Sequence, residues 1–191
     1  MRILVVDESS ERAELLREGL VDAGHEVTAV LSSPLALLKT IEQLEPDVIV
    51  IDMESPSRDV LEHLVFVSQH TPRPVVMFAN DGAPESIRAA TRAGVSAYVV
   101  DGLDKNRIES IIEAAVARFE QYQALRTQLA EANLKLSERK VVERAKGLLM
   151  KTRGLDEDAA YATLRKMAMD RKLKLIEVAQ RIIDAADLLG A

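Results

Sequence analysis

Residues 46–52 read Pro46-Asp47-Val48-Ile49-Val50-Ile51-Asp52. Four consecutive β-branched residues stand between a proline-led turn and an aspartate. A run that is apolar at every position suits a strand covered on both faces, as strands of a parallel sheet under helices are. Working outward, runs of the same kind recur at Arg2–Val6, Glu26–Val30, Pro74–Ala79 and Ala97–Val100. Amphipathic stretches separate them, at Glu11–Ala23, Leu35–Leu44, Val60–Gln69 and Glu85–Ala93. Gly24 and Gly94 stand where helices should end, and Pro46, Pro72 and Pro74 punctuate the approaches to the third and fourth strands. Five βα units of this spacing predict an α/β fold: a doubly wound five-stranded parallel sheet with right-handed crossovers.

Composition agrees with a chain that builds a real core. Of 191 residues, 48% are hydrophobic and 29% charged, which excludes disorder as the dominant state. There is no cysteine, so disulfides, thiolate metal sites and thiol nucleophiles are excluded. No window reaches the ~20 apolar residues of a membrane span. The first apolar run meets Asp7 and Glu8 at once, unlike a signal-peptide core, so a cytoplasmic protein is expected. His25, His63 and His70 have no metal-ligand spacing, and neither a catalytic triad nor a phosphate loop is present; an enzyme is not expected, and no catalytic residue is assigned. Charge is uneven. Met1–Ala124 holds 11 basic and 21 acidic residues, whereas Leu125–Ala191 holds 14 and 10. Any nucleic-acid contact is therefore expected at the back of the chain.

In a doubly wound sheet the functional crevice lies at the carboxyl ends of the strands. Asp7 and Glu8 close the first strand and Asp52 the third. Converging carboxylates repel one another, and hard oxygen ligands of this kind suit Mg²⁺. A carboxylate beside bound Mg²⁺ can act as a nucleophile toward a phosphoryl group. The competing reading has these acids only capping the helices that follow.

From Lys105 the chain lacks proline, and apolar residues recur at heptad spacing. Ile112, Phe119, Arg126, Asn133 and Lys140 take a positions; Ile108, Ala115, Tyr122, Leu129 and Leu136 take d positions. This predicts a coiled-coil helix over 105–136 and a homodimer, with Arg126 and Asn133 fixing register. A helix packed on its own chain through Leu125 and Ala132 is the alternative.

The tail predicts three helices: Ser137–Lys151 continuing the coil, Glu157–Arg171 with Asp156 as N-cap, and Leu175–Leu189. Basic residues group at Arg139, Lys140, Arg144 and Lys146, then Lys151 and Arg153, then Arg165, Lys166, Arg171, Lys172 and Lys174. Arg165 and Lys172, a turn or two apart on the second of these helices, could hold phosphates along one surface. Tyr161, the one aromatic of this region, either packs between helices or stacks one base; a multi-base aromatic platform is excluded. Gly147 in mid-helix costs about 1 kcal/mol against Ala, which suggests close backbone approach by RNA or by another helix.

Met1–Arg118 resembles the receiver domain of bacterial response regulators. The resemblance rests on Leu4-Val5-Val6-Asp7-Glu8, on Pro46–Asp52 with Pro56 beyond, and on Gly94 followed by Ala97-Tyr98. It implies the flavodoxin-like strand order, Asp52 as phosphoacceptor, and Asp7 and Glu8 beside it as Mg²⁺ ligands. It also implies a metal-binding carbonyl from Glu54 and an aromatic switch at Tyr98. Two positions depart. Where receivers carry Thr or Ser after strand four this chain has Ala79, and where they carry Lys after strand five it has Asp101. The hydroxyl and the ammonium are the donors that would grip a phosphoryl group, so control by a protein partner is as well founded as phosphorylation.

The tail resembles the ANTAR domain. Arg139-Lys140-Val141-Val142-Glu143-Arg144-Ala145-Lys146-Gly147-Leu148-Leu149-Met150 matches its opening signature, Ala159-Ala160-Tyr161 and Leu164–Arg171 its second helix, and Leu175 with Glu177-Val178-Ala179 its third. ANTAR proteins bind paired stem-loops in RNA and prevent a terminator hairpin from forming. The resemblance implies RNA contacts from Lys140, Arg144, Lys146, Gly147, Tyr161, Arg165 and Lys172. Asp52–Asp59, Met77-Phe78-Ala79 and Gly94–Gly102 further resemble the nitrate-assimilation antiterminators of the NasT type, which implies a nitrate- or nitrite-binding sensor protein, or a sensor kinase, as partner.

The expected organisation is a receiver-like domain over 1–118, a helical linker over 105–136 with its dimer seam at Phe119, Tyr122, Leu129, Asn133 and Leu136, and a small three-helix ANTAR-like bundle over 125–188. The expected function is transcription antitermination on hairpins of leader mRNA. Two alternatives stand: a response regulator that binds duplex DNA with a half-site spacing set by the dimer, and an interaction protein without nucleic-acid affinity.

Overall fold

The computed structural model describes residues 1–100 and 107–189; Asp101 lies outside the described residues. Five strands, β1 (Arg2–Asp7), β2 (Glu26–Leu31), β3 (Val48–Met53), β4 (Val75–Ala79) and β5 (Ala97–Val100), form one sheet in the order β2-β1-β3-β4-β5. All pairs are parallel. Helices α1 (Ser10–Asp22), α2 (Leu37–Leu44), α3 (Arg58–His70) and α4 (Pro84–Arg92) connect them, and α5 (Ile108–Arg153), α6 (Glu157–Arg171) and α7 (Leu175–Leu189) follow. This is the five-stranded, receiver-like fold read from the apolar runs.

Strand pleating divides the core in two. Leu4, Val6, Ile49, Ile51 and Met77 point to one face and pack with Leu37, Ile41, Leu64 and Val67 of α2 and α3. Ile3, Val5, Val48, Val50, Val76 and Phe78 point to the other and meet Leu16 and Leu20 of α1. The run Val48–Ile51 is fully buried at all four positions because each face has its own helical cover.

That second face corrects one expectation. Ile108, Ile112 and Ala115, assigned above to a coiled-coil seam, are buried against the sheet at 0%, 0% and 1% exposure. Spacings of three and four serve packing on a chain's own sheet as well as packing on a second helix, and over two turns the periods 3.5 and 3.6 cannot be told apart. The unpartnered stripe of α5 starts only after them, beyond half-buried Phe119.

Gly94 follows α4 with φ +102°, and a Cβ built there would lie 2.7 Å from the Cβ of Ser68 in α3. Both the backbone angle and the approach of α3 demand glycine.

The chain divides into two compact units, Met1–Gln123 and Ala124–Ala191. In the second, Ala145 and Leu149 of α5, Ala160, Leu164 and Ala168 of α6, and Val178, Ala179 and Ile183 of α7 make a small core. Asp156 caps α6, its Oδ1 accepting from the Ala159 N–H at 2.7 Å. Lys172 does not lie on that helix but ends it, in a left-handed conformation at φ 53°. Residues 124–140 of α5 are exposed at every position.

Candidate functional site

Parallel pairing of β1 and β3 sets Asp7 opposite Asp52 at the carboxyl edge of the sheet. The Asp7 side chain is wholly buried and that of Asp52 is 18% exposed, while Glu8 is exposed. Burial first, and then the charge of Asp7, push the Asp52 carboxyl above its ordinary range; Arg12 pulls it back.

Arg12 was not singled out from the sequence. Ser9 caps α1 by accepting from the Arg12 backbone N–H at 3.4 Å, which sets Arg12 on the first turn with its side chain over the strand ends. Its Nη2 donates to Asp7 Oδ1 at 3.1 Å and its Nε lies 3.6 Å from Asp52 Oδ2. The hydrogen bond to Asp7, ahead of every other influence, holds this guanidinium above its ordinary range. The signal in the sequence was a helix start at Ser9 that puts an arginine three residues in, five beyond an acidic strand end.

The strand ends offer a divalent cation some of what it needs. Oxygen ligands of the right chemistry are there, and Asp7 Oδ2 is buried without a hydrogen-bond partner among the described residues. Three features oppose the fit. Arg12 stands on both aspartates. The Glu54 carbonyl already accepts the N–H groups of Asn80 and Asp81, each at 3.1 Å. Among the described residues, no three His, Asp or Glu side chains gather closely enough to hold a metal ion. With Arg12 in place the arrangement does not fit the ion.

The neighbouring loop is tied by a second residue that sequence reading passed over. The Asp81 carboxylate accepts from Ser55 Oγ at 2.9 Å, Ser86 Oγ at 2.6 Å and the Ala83 N–H at 2.9 Å, and these bonds lower its pKa. Tyr98 donates its hydroxyl to the Asp81 carbonyl at 2.7 Å. Ala79 is buried at the end of β4 and offers no hydroxyl. The loop after β4 is thus held by the protein's own groups, at a place where the sequence lacks the Thr or Ser of other receivers.

In the second unit the expected RNA residues separate into three kinds. Lys146 is 7% exposed, and its ammonium donates to Glu143 at 3.0 Å and to Glu157 at 2.8 Å, joining α5 to α6. Arg144 donates to both carboxylate oxygens of Asp187, at 2.9 and 3.2 Å, and joins α5 to α7. Lys140 and Gly147 are exposed two turns apart on one stripe of α5, and a Cβ on Gly147 would meet nothing within 4 Å. Among the described residues no neighbour explains that glycine. On α6, Tyr161, Arg165 and Met169 follow at intervals of four and share one exposed face, Tyr161 at 45% and Met169 at 67% exposure. Tyr161 therefore does not pack between helices.

The Lys146 cluster predicts a pH dependence. Hydrogen bonding by Lys146 lowers the Glu157 carboxyl, and hydrogen bonds to Glu143 and Glu157 raise the Lys146 ammonium. The stabilisation linked to Glu157 is present above the unfolded carboxyl value and is lost as pH falls through the lowered folded one. That linked to Lys146 is present below the unfolded ammonium value and is lost as pH rises through the raised folded one. Melting curves of Lys146→Gln and the native chain should differ most between these edges and converge beyond them; a pH-independent difference would contradict the linkage.

The fold and the matches to known proteins define a response regulator. The family model of the response regulator receiver domain matches residues 3–113, and the chain belongs to that family. The ANTAR domain model matches residues 130–183, so this is a response regulator of the kind that carries an ANTAR domain. It is 28% identical over 187 residues to the transcriptional regulatory protein PdtaR of Mycobacterium tuberculosis, covering 96% of this chain and 89% of that one. A nitrate regulatory protein of Klebsiella oxytoca is 37% identical over 81 residues, 42% of this chain but 19% of its own length. Among solved structures, chemotaxis protein CheY4 of Vibrio cholerae superposes with a TM-score of 0.54 at 20% identity, covering 60% of this chain and 97% of that one. Among the described residues, no helix is long and apolar enough to cross a membrane.

Proposed function

We propose that this protein is a cytoplasmic transcription antiterminator in which a receiver-like domain (1–118) and a coiled-coil helix control an ANTAR-like domain (125–188) that binds paired hairpins in leader mRNA. The exposed face of α6 carries the reading. An aromatic ring, a guanidinium and a thioether on one line offer stacking and phosphate contact together, which suits an unpaired loop base better than the edge of a duplex. Lys140, Arg144, Gly147 and Lys172 supplement Tyr161 and Arg165, and Lys146 acts from beneath by joining the helices. Duplex DNA is the outcome that the test below distinguishes.

The partner on α5 is a second copy of this chain. Tyr122, Leu125, Leu129 and Leu136 are more than half exposed, on or beside the stretch 124–140 of α5 that is exposed at every position among the described residues. A helix so exposed is poorly stable alone, and the seam of Phe119, Tyr122, Leu129, Asn133 and Leu136 fits a two-stranded coil. Two ANTAR-like domains in one dimer match two hairpins. The likeness to a nitrate regulatory protein supports nitrate or nitrite assimilation genes as targets, and a nitrate- or nitrite-binding sensor protein, or a sensor kinase, as the receiver's partner. Receiver domains generally bind Mg²⁺ at an acidic site and accept phosphoryl groups there; Asp52 is the acceptor in this reading, and Asp7 and Glu8 are the carboxylates that would hold the metal only once Arg12 has left Asp7 and Asp52.

The test compares a paired-hairpin RNA with a matched duplex DNA across a salt series. RNA binding that disappears when loop bases change, and that outlasts duplex binding as salt rises, is the expected result. Arg165→Ala should weaken it about ten-fold and reduce the salt slope by roughly one. Equal affinity for duplex DNA would overturn the reading.

A further inference from the structure

The acidic pocket carries its own cation. We propose that Arg12 is the resident counter-ion of Asp7 and Asp52 and sets the receiver's divalent-cation affinity by competing for both carboxylates. The inference rests on reading this pocket as a divalent-cation site and is independent of what the ANTAR domain binds.

Three observations carry it. The guanidinium reaches two carboxylates on adjacent strands, 3.1 Å from Asp7 Oδ1 and 3.6 Å from Asp52 Oδ2. It is placed there by the start of α1, since the Ser9 hydroxyl that caps the helix accepts from the backbone N–H of the same residue. The contact is nevertheless incomplete: Asp7 Oδ2 and Arg12 Nε are both buried without a hydrogen-bond partner among the described residues. A bidentate guanidinium–carboxylate pair would satisfy such atoms; here one oxygen is left over. A buried carboxylate oxygen with no donor is costly, and it is the atom to which a divalent ion would bring most. The pocket therefore holds a cation that satisfies it in part, and an entering ion must displace the guanidinium.

Displacement is open to Arg12, because its side chain is 39% exposed and borders an open pocket of about 550 Å³ lined also by Glu8, Ser9, Glu54 and Ser55. A unit positive charge some 3–4 Å from the ligand oxygens opposes a second cation strongly even at the intermediate dielectric of a protein surface. The Glu54 carbonyl adds a further obstacle, since its two N–H bonds would have to give way to a metal.

The test is calorimetric titration of the full-length chain with Mg²⁺, native and Arg12→Gln, with folding checked by circular dichroism. The glutamine variant is expected to bind at least about ten-fold tighter than the native chain. Equal affinity in the two would overturn the role of Arg12. Absence of binding in both would overturn the reading of the pocket as a divalent-cation site, and this proposal with it. The native chain supplies a second measurement that needs no variant: the Arg12 Nε–H resonance should shift in step with the Asp52 amide as Mg²⁺ is added. A metal-dependent Asp52 shift with a stationary Arg12 signal would refute competition.

Discussion

Leu129→Glu combined with Leu136→Glu should leave the protein monomeric and lower its affinity for a two-hairpin RNA by at least about a hundred-fold, while binding to either hairpin alone stays within a factor of two or so of native. Both leucines are exposed in the single chain, at 63% and 54%, and neither touches a core. The substitutions therefore cost the fold little. In the proposed coil they occupy successive d positions, where paired glutamates would repel across the seam in place of apolar packing. The loss on RNA comes from tethering: once two domains are joined, the second hairpin is met at a high effective concentration, and the monomer forfeits that gain. Sedimentation and titrations with one- and two-hairpin RNAs separate the effects. A monomer that keeps native two-hairpin affinity would show that the pairing of hairpins is read by a single ANTAR domain.

Gly94→Ala should be the most destabilising single methyl group in the receiver, at about 3 kcal/mol or on the order of 10 °C in melting temperature. Two costs combine. An L-residue at φ +102° is strained in itself, and the new Cβ would lie 2.7 Å from the Cβ of Ser68, a contact that either helix α3 or the turn after α4 must move to relieve. Gly94→Ala with Ser68→Gly separates them, because removing the serine Cβ relieves the contact but not the angle. Partial recovery in the double variant is the expected result. A fall of under ~1 kcal/mol for the single substitution would mean that the turn has room to adjust.

The sheet was legible in the sequence because its signal is local. Residues 48–51 are apolar and β-branched at every position behind a proline, which suits a strand covered on both faces. The pairing of Asp7 with Asp52 follows from topology and was legible for the same reason. Partnership between charges was not. Lys146 counts in the sequence as one more basic residue of the tail, yet it is buried between Glu143 and Glu157, and only the packing of α6 on α5 reveals it. Arg12 looked like part of an amphipathic helix, since nothing in a periodicity marks which charged side chain turns back over a strand end. The assignment of Ile108, Ile112 and Ala115 to a coil failed for a physical reason of another kind. A short apolar stripe specifies that something must cover it, without specifying whether the cover is a sheet or a second helix.

The burial of those three residues also constrains the order in which the chain can fold. Every strand pair of the sheet is parallel and consecutive strands are linked through helices, so the sheet is assembled from non-local contacts and forms slowly. One of its faces is covered only in part, by α1, until Ile108, Ile112 and Ala115 have been synthesised, since they complete the layer over Val5, Val50 and Phe78. During translation the receiver thus keeps part of one sheet face open, exposed to misassociation, until the start of α5 has left the ribosome. The ANTAR bundle, built from contacts between consecutive helices, has no such wait.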